Sequence, residues 1–314
     1  MDRALLIVGN GLSIDLYGHL GLAIHPSYPF SFNVPSAPGS RRRLLDELPC
    51  LSEMLASNPE VEDYAIIHDF VQHYRRDNKQ DELRHAELRQ YLSLAYSHAS
   101  ILLLGQWRTS WRWGAWLRNH CSRLAGVVSF NYDLVPEITL NRAALSFHRL
   151  GTPEEDVPNG IPVFKPHGSC DFDMGEGFVG GYTPFKAIGI LNNRIINGRG
   201  RVSVVPSHRL SQARFEADIV LPFEESQQTR LLWVQQGYKT VFRIAQTVDA
   251  LIVLGLSYHP CDRPEIDSLI SQVPPGAEAW LVNPTPNETF ENMVKRVTDK
   301  VMRVTPHDFL RMRL

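Results

Sequence analysis

The sequence predicts an α/β fold, a doubly wound, mainly parallel sheet that carries its chemistry along one edge. Three observations lead there. Five short apolar runs, at 4–8, 126–130, 162–165, 250–255 and 279–282, are aliphatic or β-branched at successive positions. Strands covered on both faces need that composition. Each run then ends in glycine or polar residues, reading GNGLS, SFNYD, KPHGS, GLS and VNP in chain order. Ligands of doubly wound sheets sit at the carboxyl ends of the strands. Between the first and second runs, apolar residues recur at helical spacing over 44–55, 61–75 and 81–105. That stretch is too long for a simple crossover. The expected organisation is one domain over 1–314 with a helical insertion over 41–120.

Composition narrows the function classes. The chain has 314 residues, 43% of them hydrophobic, and a formal net charge of -2. A core is expected, and no global field favours nucleic acid or an anionic membrane. The basic run Arg41-Arg42-Arg43 reads as a solvated turn. Cys50, Cys121, Cys170 and Cys261 are scattered and form no C-x-x-C pair, so neither a zinc ribbon nor a disulfide framework is expected. No metal is called for, and the reading is cytoplasmic. The apolar start runs at once into Gly9-Asn10-Gly11, as a strand does and a signal peptide does not. The segment 99–116 is interrupted by Arg108 and Arg112 and reads as a core helix, not a membrane span. Segments 31–40, 175–181 and 192–201 read as loops, and 77–80 as the turn before the third helix.

Of the five strand ends, the first places Gly9, Asn10, Gly11 and Ser13 after a strand. There glycines let a phosphate approach the backbone, and a helix starting near Ser13 offers N–H groups to an anion. A bare strand–turn–helix fits equally, because Ile14 stands where a dinucleotide fingerprint has its third glycine. The second end supplies Asn131 and Asp133, on one side if the chain is still extended. The amide can hold a hydroxyl or a water. The carboxylate can stabilise positive charge on a ribose or cap the next helix. The third end puts His167, one of twelve histidines, beside Gly168 at a strand terminus, where it can act as a general base. Gly255 and Ser257, followed by Asp262, and then Asn283 close the fourth and fifth runs and suit phosphate and adenosine contacts.

As an ordered set these residues resemble the sirtuin-like superfamily. The resemblance implies that Gly9, Gly11 and Ser13 cradle a dinucleotide and that Asn131 and Asp133 form the Asn-x-Asp after the next core strand. It makes His167-Gly168 the source of the base, assigns Gly255 and Ser257 to phosphate and ribose, and puts Asn283 near the adenosine. The chain lacks the four-cysteine ribbon of the deacylase branch, and helices stand where its small domain would be. In this it is similar to the prokaryotic sirtuin-like proteins that deplete NAD in antiphage defence. Leu221-Pro222-Phe223 and Trp233, with a helix leading to Asp249, resemble that branch too.

The expected reaction is therefore hydrolysis of NAD, bound as substrate, to nicotinamide and ADP-ribose through an oxocarbenium-like ribose. Asn131 would orient the ribose and water, His167 would take a proton, and Asp133 would hold the ribose or the helix start. An NAD-dependent deacylase or ADP-ribosyl transferase, and a non-hydrolytic NAD or ADP-ribose sensor, are the alternatives. Control is expected from homo-oligomerisation or a separate partner such as a HerA-like ATPase. The helical insertion, which bears Trp107, Trp111, Trp113 and Trp116, is the expected contact surface, and the tryptophan rings themselves read as core packing.

Overall fold

The computed structural model describes every residue except 1, 38, 59–60, 73–78, 109, 157–159, 174–201, 213–216, 222–230, 286 and 313–314. The expected loops at 175–181 and 192–201, residues 77–78, and Pro222-Phe223 lie outside the described residues.

Seven strands form a sheet: β1 (Ala4–Val8), β2 (Leu124–Ser129), β3 (Phe147–Arg149), β4 (Ile161–Phe164), β8 (Ala250–Leu254), β9 (Glu278–Val282) and β10 (Val301–Val304). Their order is β10-β9-β8-β1-β2-β4-β3, and every pairing is parallel. Alternation along the strands feeds two cores. Ala4, Leu6 and Val8 of β1 and Ala250, Ile252 and Leu254 of β8 enter one. Leu5, Ile7, Leu251 and Val253 enter the other. Burial on both faces is why these runs carry no polar residue.

The first core is covered by α1 (Asn10–Leu20), α2 (Pro49–Ser57), α3 (Asp63–Gln72), α4 (Lys79–Gln106), α5 (Arg112–His120) and α6 (Val135–Arg142). The second is covered by α7 (Leu232–Ala245), α8 (Arg263–Ile270) and α9 (Glu288–Val294). A short α10 (Pro306–Phe309) ends the series and sends Phe309 into the first core. Three short strands, β5 (Gly168–Asp173), β6 (Ser203–Val204) and β7 (Ala217–Ile219), form a separate antiparallel sheet in the order β6-β5-β7.

Several expectations need correction. The helix read over 44–55 is two pieces: Leu44–Glu47 is a 3₁₀ turn, and α2 restarts at Pro49. Proline has no N–H to give and suits a first helical turn. The segment 99–116 is also divided, between the end of α4 at Gln106 and the start of α5 at Arg112. Trp111, Trp113 and Trp116 are buried, as the core reading of these rings expects. Trp113 and Trp116 pack on Phe309 with ring centroids 5.9 and 5.4 Å away. No helix among the described residues is long and apolar enough to cross a membrane.

Candidate active site

The strand order makes β1 the turning point. The chain passes from β1 to β2 on one side and later adds β8 on the other, leaving a crevice beyond the ends of β8, β1 and β2. A cleft of about 700 Å³ opens there, inside the range of roughly 300–1,000 Å³ usual for small-molecule sites. Its floor comes from the turns after β1, β2, β4, β8 and β9. Glu62, Tyr64, Ile67, Leu92, Tyr96 and Trp113 of the helical segment contribute the opposite wall.

The glycine turn is tighter than phosphate approach alone requires. Gly9 N–H donates to Leu254 O at 3.0 Å, and Gly11 N–H donates to Gly255 O at 2.9 Å. A Cβ on Gly11 would lie 2.6 Å from Gly255 Cα, and one on Gly255, whose φ is +62°, would lie 2.6 Å from Gly11 Cα. The two glycine motifs are therefore needed by each other, as the place where two backbones touch. Helix α1 starts at Asn10, three residues before the expected Ser13. Gly11→Ala should cost about 1–3 kcal/mol of stability by overpacking against main chain, read as a lowered melting temperature. An unchanged Tm would show that the crossing can relax.

Beyond Ser129 the chain leaves the strand, yet Asn131 and Asp133 still converge, on Ser13. Asn131 Nδ2 donates to Gly9 O at 3.0 Å and to Ser13 Oγ at 3.1 Å. Ser13 O–H donates to Asp133 Oδ2 at 2.6 Å. Both amide protons are thus committed, and Asn131 offers the cleft its carbonyl oxygen, an acceptor for water or a hydroxyl. Asp133 Oδ1 accepts from Val135 N–H at 3.0 Å, at the start of α6. Burial pushes the Asp133 carboxyl up, with Lys165 and Ser13 opposing. Ser13 and Asp133 are completely buried. Together they brace Asn131, with Asp133 contributing to the cleft lining; Ser13 does not line the cleft as the phosphate reading required.

His167 occupies the turn between β4 and β5 and lines the cleft. Its Nε2 lies 2.9 Å from Glu265 Oε2 and 3.9 Å from Asp262 Oδ1. Burial works against a charge on the ring, but Glu265, Asp262 and the Phe130 backbone outweigh it and hold the pKa up at about 8. The ordinary value is 6.5, so the shift stabilises the folded state while the ring is charged. By linkage it contributes on the order of 2 kcal/mol below about pH 6.5, lost as pH rises through about 8. Thermal melts from pH 6 to 9 should lose this increment in the native chain and not in His167→Gln; parallel curves would contradict it.

The other expected residues are scattered around the same cleft. Asn10 lines it and donates from Nδ2 to Ser27 Oγ at 2.8 Å. Gly255 and the exposed Ser257 line it beyond β8, and Asn283 lines it beyond β9, donating to Leu256 O at 3.0 Å. Gly168 does not line it: this glycine begins β5, with φ +79° and its N–H on Lys165 O at 2.9 Å.

No family model and no curated protein matches this chain. Its neighbours among solved structures are Sir2 proteins. Sir2Tm bound to a propionylated peptide is 13% identical, over 98% of this chain and 90% of that one, with a TM-score of 0.36. A Sir2–p53 peptide–NAD+ complex gives 13%, 98%, 90% and 0.36. Sir2Af2 bound to a myristoylated histone peptide gives 15%, 98%, 87% and 0.38. The fold itself is fixed by the seven-stranded parallel sheet.

Glu265 is the residue that sequence reasoning missed. In Asp262-Arg263-Pro264-Glu265 an acid follows a proline in the first turn of a helix, which is ordinary helix-start chemistry and gives no sign of a histidine 98 residues away. A second missed feature had a signal. Ser93, Ser97 and Ser100 fall on one face of α4. Ser93 and Ser97 donate to Cys170 O at 3.2 and 3.1 Å, and Ser100 Oγ accepts from Leu134 N–H at 3.3 Å. Small hydroxyls at that spacing let α4 lie close against β5 and the start of α6. Among the described residues, no group of three His, Cys, Asp or Glu could hold a metal ion.

Proposed function

We propose that the protein is an NAD+ glycohydrolase, cleaving the nicotinamide–ribose bond to release nicotinamide and ADP-ribose. One observation carries the reading. An amide acceptor on Asn131 and an imidazole on His167 line the same cleft as the Gly9–Gly11 turn, at the switch point of a parallel sheet. A dinucleotide with its pyrophosphate over that turn brings its ribose to Asn131 and His167. Nicotinamide is a good leaving group because it departs neutral from a cation, so the barrier lies in the oxocarbenium-like ribose and the approach of water. Asn131 Oδ1 orients that water, and His167 takes its proton once the ring is neutral. Asp133 and Ser13 hold Asn131 in place. An NAD-depleting role in antiphage defence, with control by self-association or a separate ATPase partner, belongs to the same proposal.

Product analysis tests it. NAD incubated with the purified chain should give nicotinamide and ADP-ribose in equal amounts, with or without an acylated peptide. Turnover that depends on the peptide and yields an acylated ADP-ribose would replace the hydrolase with a deacylase. Tight NAD binding with no products would make the chain a sensor.

A further inference from the structure

The hydrolase reading leaves open which nitrogen of His167 works and what holds the ring. We propose that Glu265 is the positioning residue of the base: it keeps a proton on Nε2, so that the proton of the attacking water is taken at Nδ1. This rests on the proposed hydrolysis for its chemistry, and on the following geometry for its assignment.

Glu265 Oε2 is 2.9 Å from Nε2, and a carboxylate only accepts, so Nε2 is the donor. The two side chains are 7% and 10% exposed, so little water competes for the bond. His167 and Asp262 line the cleft and Glu265 does not, so the carboxylate that holds the ring lies off the cleft surface. The carboxylate is fixed in turn by its helix, since Ile266, Leu269 and Ile270 of α8 are fully buried. Asp262, Phe130 and Tyr132 also face the ring. Asp262, also from the start of α8, is 3.9 Å from Nε2 and reinforces the proton there. The Phe130 backbone favours a second proton on the ring. The Phe130 ring meets the imidazole edge-on at 5.3 Å, and the Tyr132 ring lies 6.4 Å away. Tyr238 of α7 sits beside Glu265, its hydroxyl kept neutral by burial and by that carboxylate.

The proton balance follows. The water oxygen bonds to ribose C1′ as the C1′–nicotinamide bond breaks, its electron pair leaving with nicotinamide. The O–H bond of the water breaks, and its proton adds to the Nδ1 lone pair. The imidazolium so formed is held by Glu265 until it returns the proton to solvent. This is the role of the carboxylate in a Ser-His-Asp triad, here without a protein nucleophile.

The test is an NMR pH titration of the His167 ring in the full chain, assigned by comparison with His167→Gln and read beside nicotinamide release. In the native chain, above pH 8, ¹⁵N shifts should show Nε2 protonated and Nδ1 bare. Glu265→Gln keeps a hydrogen-bond acceptor and removes the charge. It should bring the ring from about 8 toward 6.5, move the acid limb of the activity profile with it, and lower kcat by about 10–100-fold, as loss of an outer partner does for metal-bound imidazoles. KM should stay nearly constant. Asp262→Asn, at the longer distance, should shift the ring less. A bare Nε2 in the native chain, or a ring pKa that Glu265→Gln moves no further than Asp262→Asn, overturns the assignment. The ¹⁵N measurement is made on the native chain and needs no turnover. Absence of nicotinamide release at every pH would therefore sink the hydrolase reading while the titration still decides the role of Glu265.

Discussion

Substituting His167 with alanine should lower nicotinamide release by about 10²–10⁴-fold, the usual worth of a positioned general base. Asn131→Ala should lower it by about 10²–10³-fold, as removal of one preorganised polar group does in other enzymes. The two losses should look different. His167 lines the cleft without belonging to the glycine turn, so His167→Ala should bind NAD nearly as well as the native chain and fail in kcat. Asn131 also ties Gly9 O to Ser13 Oγ. Its truncation should loosen the turn and raise KM as well as lower kcat. Isothermal calorimetry with NAD and steady-state product release separate these cases, with Tm measured alongside to exclude unfolding. Full activity in both variants would mean that the bond is broken elsewhere in the cleft. Loss of NAD binding in His167→Ala would make His167 a ligand contact instead of a base.

The elements that sequence made legible are those in which one physical demand dominates. β1 and β8 are buried on both faces and β9 chiefly on one, and their apolar runs predict all three to within a residue. β3 has only three residues, Phe147, His148 and Arg149, and β10 carries Met302 and Arg303. Edge strands need less apolar character, so neither announces itself. For the site, the strand ends pick out Asn131, His167 and the glycine turn because only those ends face the crevice. What stays hidden is set by tertiary contact alone. Ser13 is drawn beneath the floor by Asn131 and Asp133, which lie 118 and 120 residues away, and nothing local to Gly9-Asn10-Gly11-Leu12-Ser13 distinguishes that from a phosphate contact. That Gly255, besides lining the cleft, packs on the backbone of Gly11 is hidden in the same way, because the two glycines are remote in sequence.

The charges buried under this site give the largest expected stability effect. Lys165 is 1% exposed, with its ammonium 3.2 Å from Glu137 Oε1 and donating to the Asp133 carbonyl. Next to it Arg149 pairs with Asp171 and with Glu154, the latter at 2.5 Å. Burial pushes the Glu137 carboxyl up, with Lys165 opposing. For Asp171 burial is outweighed by Arg149 and Lys165, which hold it below the ordinary carboxylate range. Lys165→Met removes one cation from this group and should cost about 3–5 kcal/mol, the usual result of leaving a buried charge without its partner. Chemical denaturation measures it. Adding Glu137→Leu should recover most of the loss, because an apolar pair of similar volume avoids desolvating two charges. A double variant no more stable than the single one would show that Asp133 and Asp171, and not Glu137, are what Lys165 serves. Activity should not recover with stability. Lys165 sits two residues before His167 and holds the main chain of Asp133, which braces Ser13 and, through it, Asn131. The double variant should therefore fold near native strength and still turn over slowly. That outcome would separate the network's effect on the fold from its hold on the two residues above it.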